Sequence, residues 1–219
     1  MQTSPLTIWG ISTSRTLRVH WLAHELGISY NTEPVRARTG ETQTAKYLTL
    51  SPKGKVPMLT HGSLVVTESA AILGYLSEQF GANTEFFVPT NAAERARLND
   101  WCYSIMTEMD AHPLYIIRRH EALADIYGSI PQAVTSAREY FARMAAAIAL
   151  RMDENQPYIF GQRLSIADIL LTTTLTWARS YDLALPQIFS DYLARASART
   201  AYLSAYAHNY PDAAPSSNN

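Results

Sequence analysis

The sequence predicts two domains of different class: a small α/β domain with a mixed four-stranded sheet, then an all-helical bundle. Three observations carry this. Over residues 1–81, apolar runs of strand length alternate with segments of helical period. The first two strands are joined through a helix and the last two by the hairpin turn His61-Gly62-Ser63, so the first pair is expected parallel and the last antiparallel. From Asn91 onward the strand signals stop.

LTIWG (6–10) reads as a buried strand ended by Gly10. In the next segment Leu17, Trp21, Leu22 and Leu26 recur at helical spacing, and Gly27 closes it as a C-terminal glycine. Residues 28–35 form a second strand, which Pro34 puts near an edge. A short helical piece at 43–49 precedes SPKGKVPML, which enters the third strand, and LVVT is the fourth. ESAAILGYLSEQF is a helix stopped by Gly81. Residues 82–90, aperiodic and containing Pro89, read as a linker. The helical domain covers 91–210, with helices at 91–120, 131–154, 165–181 and 190–207 separated by Pro131, Pro157 and Pro186. The tail 211–219 is expected to be disordered.

Composition narrows the function classes. With 219 residues, 47% hydrophobic and 17% charged, the chain can bury a sizeable core. The net charge of −1 recommends neither nucleic acid nor an anionic membrane as partner. A single cysteine, Cys102, excludes an intrachain disulfide framework, a CxxC redox pair and a cysteine-rich zinc site. No apolar run approaches the ~18 residues of a membrane span. The first residues carry no basic segment leading into an apolar one, so the expectation is a reduced, cytoplasmic protein without a secretory signal.

Three motifs could carry chemistry. Lys55-Val56-Pro57 enters the third strand, where proline costs no ladder donor. Were the Val56–Pro57 bond cis, Val56 would turn its N–H and C=O toward an extended peptide-like ligand; otherwise Pro57 only ends a loop. Glu68-Ser69 lies where the fourth strand meets a helix. The positive end of that helix and the Ser69 hydroxyl suit a carboxylate, and Glu68 suits an ammonium, so an α-amino acid end would be held on both charges. The competing reading is an ordinary N-cap. Ser12, Thr13 and Ser14, followed by Arg15, crowd the start of the first helix. There a thiol would meet a hydroxyl donor, helix N–H groups and a guanidinium, all favouring thiolate. Lowering a thiol pKa of about 8.5 by two units needs roughly 2.7 kcal/mol, the order that one hydroxyl and a helix end supply. Capping is again the competing role.

Other features read as structural. SIAD (165–168) is a capping box with Asp168 in the usual Glu position. His20 and His24 stand one helical turn apart without a further ligand nearby in sequence, and read as a solvent-facing pair. Cys102 reads as a buried small hydrophobe.

Taken in order, STSRTLRVHWLAHELGISY (12–30), AKYLTLSPKGKVPML (45–59), LVVTESAAILGYL (64–76), the all-α second half and RLSIADILL (163–171) resemble the soluble glutathione transferase family. The likeness covers nearly the whole chain and points to a bacterial-like, serine-type or unclassified member. It implies a thioredoxin-like first domain that binds glutathione, a helical second domain, and a homodimer. Glutathione is then a co-substrate, and no cofactor or metal is implied. Position by position, the resemblance makes Pro57 a cis proline and pairs Val56 with the cysteinyl backbone. It gives the γ-glutamyl end to Glu68 and Ser69 and puts Lys55 beside glutathione. Ser14 matches an SR-x-x-R pattern, ungapped alignment puts Thr13 at the serine position, and a shifted loop would bring Ser12 in. No tyrosine stands on the first strand and no cysteine near 12–15, which sets aside the tyrosine- and cysteine-type classes.

The implied activity is attack of glutathione thiolate on a small hydrophobic electrophile, a detoxification chemistry. The alternatives are glutathione-dependent reduction of organic hydroperoxides, or a non-catalytic binding or regulatory relative. The electrophile would lie between the domains against Tyr103, Met106 and Asp110, with Tyr115 and Arg118 extending the wall and Trp177 in the core. Neither nucleic acid nor membrane is an implied partner.

Overall fold

A computed structural model describes residues 5–212. The chain divides into two compact units, one formed by the residues up to Val88 with those from Ala198 on, the other by Pro89–Ser197.

In the first unit the elements run β1 (Leu6–Ile11), α1 (Ser14–Glu25), β2 (Asn31–Arg36), a 3-10 turn at Glu41–Gln43, α2 (Ala45–Leu50), β3 (Met58–His61), β4 (Leu64–Thr67) and α3 (Ser69–Phe80). The sheet order is β2-β1-β3-β4. β1 pairs with β2 in parallel, with Ile8 opposite Thr32, and with β3 antiparallel, with Ile8 opposite Leu59. The β3–β4 hairpin is antiparallel, as its turn requires. Pro34 sits on the edge strand, where its missing N–H interrupts no ladder. Leu6, Ile8, Met58 and Leu59 from the sheet are buried with Leu17, Val19, Leu22, Ile72, Leu73 and Leu76 from the helices. Gly27, with φ +63, ends α1, and the following Ile28 N–H returns to the Ala23 carbonyl at 2.9 Å.

The second unit begins with α4 (Ala92–Tyr103), capped by the Asn91 side chain. Where one long helix was expected over 91–120, α4 continues into π-helical turns at Ser104–Leu114, α5 (Tyr115–Ile117) and more π-helical turns at Arg118–Ala122. Pro113 stands in the first π-helical stretch; it has no N–H and crowds the preceding turn, which a wider turn accommodates. Then follow α6 (Ala124–Tyr127), α7 (Pro131–Ala149), α8 (Ile166–Arg179) and α9 (Ile188–Ser197). Phe141, Ile169, Leu170, Leu171, Phe189 and Tyr192 are buried in this unit. The SIAD box closes as read: Ser165 and Asp168 cap each other reciprocally at the start of α8.

Two sequence boundaries shift. The helix expected over 190–207 breaks at Arg199, whose backbone is extended, and resumes as α10 (Thr200–Asn209). α10 packs on α1 and is grouped with the first unit. Its Tyr202 ring meets Trp21 of α1 edge-on at 4.9 Å, and Arg199 donates to both Glu25 oxygens at 2.6 and 2.7 Å. Within the expected linker 82–90, Phe86 and Phe87 are buried, and the first unit extends to Val88. Of the expected disordered tail, residues 213–219 lie outside the described residues, while Asp212 pairs with Arg36 at 2.7 Å.

Candidate functional site

The three motifs of the first unit come together at the C-terminal end of β1. Gly10, with φ +116, is required there: a Cβ on it would stand 2.6 Å from Val56 Cβ and 2.8 Å from a Thr16 methyl. That close approach seats the Val56–Pro57 loop against the end of β1 and the first turn of α1. The Val56–Pro57 peptide is cis. Val56 lies outside β3 and joins none of the turn or loop backbone hydrogen bonds of the described residues. Tyr47 from α2 donates its hydroxyl to the Lys55 carbonyl at 2.7 Å, fixing the approach to the cis bond.

The hydroxyl cluster separates into three jobs. Thr13 is the N-cap of α1: its Oγ1 accepts from the Thr16 N–H at 3.0 Å, and the Thr16 hydroxyl accepts from the Thr13 N–H at 3.1 Å. Ser12 is held in a left-handed conformation, φ 65, with its N–H donating to the Asn209 carbonyl at 2.8 Å. Ser14 is the first residue of α1, half-buried, and neither its N–H nor its hydroxyl has a partner among the described residues. Its position leaves two donors at the positive end of a 12-residue helix.

Glu68 and Ser69 open α3. Glu68 is exposed, adopts φ 71, and pairs with Lys53. α3 has no side-chain cap, so its first N–H groups are left to a ligand or water. Ser69 is 2% exposed, and its Oγ accepts from Arg18 Nη1 at 3.1 Å. The Ser69 O–H is thereby left to donate outward. Arg18, itself 0% exposed, brings a positive charge behind the uncapped end of α3. The arrangement suits a carboxylate: helix N–H groups, a hydroxyl donor and a guanidinium converge on one place.

Sequence reasoning gave no role to Arg18, Lys53, Tyr47 or Asn209. Arg18 did carry a signal, since an arginine amid Leu17, Val19, Trp21 and Leu22 must find a buried partner. The histidine pair is corrected. His20 is buried rather than solvent-facing, because α10 packs on α1 and brings His208 within 4.7 Å of its ring. Since Gly10 O can only accept, His20 Nε2 donates to it at 3.0 Å, and Nδ1 accepts from the Tyr30 hydroxyl at 3.0 Å. Both nitrogens are thus engaged. Among the described residues no group of three or more His, Cys, Asp or Glu could hold a metal ion.

Burial, with smaller contributions from His208 and His24, lowers the His20 pKa from 6.5 to about 4, so the ring is neutral near neutral pH. The unfolded chain therefore takes up this proton first. Its contribution to stability is complete above pH 6.5 and is lost as pH falls toward 4, a swing on the order of 3 kcal/mol. Thermal melts between pH 7 and 4 should show this slope, and His20→Gln should flatten it. An unchanged slope in the variant would assign the acid sensitivity elsewhere.

In the second unit Tyr103 is 62% exposed, Met106 half-buried and Asp110 fully buried. Trp177 is half-buried rather than core, and meets Tyr115 edge-on at 5.9 Å with Arg118 6.0 Å from its ring. Cys102 is buried, and burial pushes its thiol up to about 12, which leaves it inert. Among the described residues no helix is long and apolar enough to cross a membrane.

Comparison with known proteins agrees with this fold. The model of the glutathione S-transferase N-terminal domain matches residues 4–78, and that of the C-terminal domain matches residues 129–206. Glutathione S-transferase 1 of Dianthus caryophyllus is 28% identical over 172 residues, spanning 78% of this chain and 76% of that protein. A theta class glutathione S-transferase from Xanthomonas axonopodis pv. citri, solved with glutathione bound, is 27% identical with a TM-score of 0.70, covering 93% of this chain and 97% of the other. A glutathione transferase from Phanerochaete chrysosporium, solved with oxidized glutathione, has a TM-score of 0.80 at 18% identity, over 95% of this chain and 97% of the other; that likeness is one of fold.

Proposed function

The chain belongs to the glutathione S-transferase family, and we propose that it joins the sulfur of glutathione to small hydrophobic electrophiles, with Ser14 as the thiol-activating residue. The observation that carries this reading is the pair of unpartnered donors on Ser14, the N–H and the hydroxyl, at the start of α1. A sulfur seated there is stabilised as thiolate by both donors and by the helix end. The γ-glutamyl carboxylate takes the Ser69 hydroxyl and the uncapped N–H groups of α3, and Glu68 exchanges Lys53 for the γ-glutamyl ammonium. Val56 offers its backbone to the cysteinyl unit beside the cis Pro57, and Lys55 approaches the peptide from the same loop. The protein holds thiolate and acceptor together and supplies no nucleophile of its own.

The electrophile is assigned to Tyr103, Met106 and Asp110, all on the helical turns that open the second unit. The same thiolate would attack the O–O bond of an organic hydroperoxide. A cytoplasmic setting and assembly as a homodimer belong to this proposal.

Calorimetric titration with glutathione tests it. Saturable binding is expected, and Ser69→Ala should weaken it about tenfold, the worth of one hydrogen bond to a charged group. Equal affinity in the variant would remove Ser69 from the carboxylate site. No binding at millimolar glutathione would overturn the proposed function.

A further inference from the structure

We infer that Asn209, the last residue of α10, is a positioning residue that sets the geometry of the thiol-activating loop from the far end of the chain. It is fully buried and tied to that loop at three points. Its carbonyl accepts from the Ser12 N–H at 2.8 Å. Its Nδ2 donates to the Thr13 carbonyl at 3.1 Å. Its Oδ1 accepts from the Thr16 hydroxyl at 2.7 Å. Among the described residues no hydrogen bond joins Asn209 to Ser14, so whatever it does for the sulfur passes through Ser12, Thr13 and Thr16.

The three contacts address three different degrees of freedom. Ser12 sits at φ 65, a conformation that a residue with a side chain adopts only when its surroundings hold it. The Asn209 carbonyl is that hold. The Nδ2 contact orients the Thr13 peptide, whose other end is the Ser14 N–H. The Thr16 hydroxyl proton has two acceptors, Asn209 Oδ1 at 2.7 Å and the Thr13 carbonyl at 2.9 Å, and the Oδ1 contact holds the Thr16 side chain in place while its oxygen accepts from the Thr13 N–H. α10 itself is anchored well away from the loop by the Arg199–Glu25 pair and the Tyr202–Trp21 contact. Its end therefore acts as a fixed post rather than a fraying terminus. A displacement of the Ser14 donors by a fraction of an ångström is enough to weaken a hydrogen bond to a developing thiolate.

This inference rests on Ser14 as the donor to sulfur, and the experiment separates the two. The pKa of the bound glutathione thiol is read from the ultraviolet absorbance of the thiolate at saturating glutathione, a measurement that needs no electrophile. It is made on the wild type, Asn209→Ala, Thr16→Val, Thr16→Ser and Ser14→Ala. Asn209→Ala and the isosteric Thr16→Val are expected to raise the thiol pKa by about half a unit to one unit, with glutathione affinity within about threefold of wild type. Thr16→Ser, which keeps the hydroxyl, should restore the wild-type value. Retained glutathione binding by either variant shows that it is folded, and Thr16→Val keeps the test open should Asn209→Ala not fold. If Ser14→Ala raises the thiol pKa while Asn209→Ala or Thr16→Val leaves it unchanged, the inference is wrong and the Ser14 reading stands. If Ser14→Ala leaves it unchanged, both fall.

Discussion

Ser14→Ala is expected to raise the pKa of the bound glutathione thiol by about one to two units and to cut turnover near neutral pH about 10- to 100-fold. Those figures are the worth of one hydrogen bond to a charged sulfur, with the Ser14 N–H and the helix end left to do the rest. The sign fixes the pH dependence. A higher thiol pKa leaves less thiolate below it, so the variant should recover much of its rate as pH rises past the new value. Glutathione affinity should move little, because the carboxylate site is built on Ser69 and α3. The neighbouring hydroxyls give the contrast. Thr13→Ala removes the cap of α1 and should cost about 1 kcal/mol of stability, whereas Ser12→Ala should leave turnover near wild type, since its N–H, not its hydroxyl, is the group engaged. A wild-type rate in Ser14→Ala, or a full loss in Ser12→Ala, would reassign the role.

What could be read from the sequence was local. The alternation of short apolar runs with helical periods marked β1 to α3, and a two-glycine punctuation, Gly27 after α1 and Gly81 after α3, placed the helix ends. Pro34 announced an edge strand. The hairpin turn fixed the antiparallel pair, and the capping box at Ser165 was visible as four consecutive residues. What could not be read depends on segments far apart in the chain. Asn209 reaches Thr16 across 193 positions, and nothing in YAHNY marks that asparagine as a partner of the first helix. The same docking of α10 buries His20, which by its own helix alone would face water. The π-helical turns after Tyr103 are a second kind of failure. The period assumed for the helix was the ordinary one, and the turns over Ser104–Leu114 are wider. The site residues of the first unit fared differently because each lies at an element boundary, where chain reversal and helix ends leave local signals.

Asp168→Ala is expected to be the most destabilising single change considered, at about 4 kcal/mol. Read from sequence, Asp168 is one half of a capping box, a feature worth about 1 kcal/mol. The structure adds partners that sequence spacing does not reveal. The carboxylate accepts from the Ser165 N–H at 2.8 Å and the Ser165 hydroxyl at 2.6 Å. It also accepts from the Ile159 N–H at 2.9 Å and from the buried Tyr192 hydroxyl at 2.9 Å. Burial pushes this carboxyl up and the four donors pull it back, so the group is stable only as part of the set. Truncation takes the acceptor from all four donors; the Ser165 donors are buried, while Tyr192 keeps only the Asp168 carbonyl at 3.3 Å, and an unmet buried donor costs more than a made bond contributes. Ser165→Ala, which removes one donor and the cap but leaves Asp168 with three partners, should cost about 1 kcal/mol. Asp168→Asn, keeping one acceptor oxygen, should fall between them. Urea unfolding of the three variants, followed by the fluorescence of Trp101 and Trp177 in the same unit, would rank them. A loss for Asp168→Ala no larger than that for Ser165→Ala would reduce the residue to its capping role and leave Tyr192 and Ile159 without a share in holding α8 and α9 together.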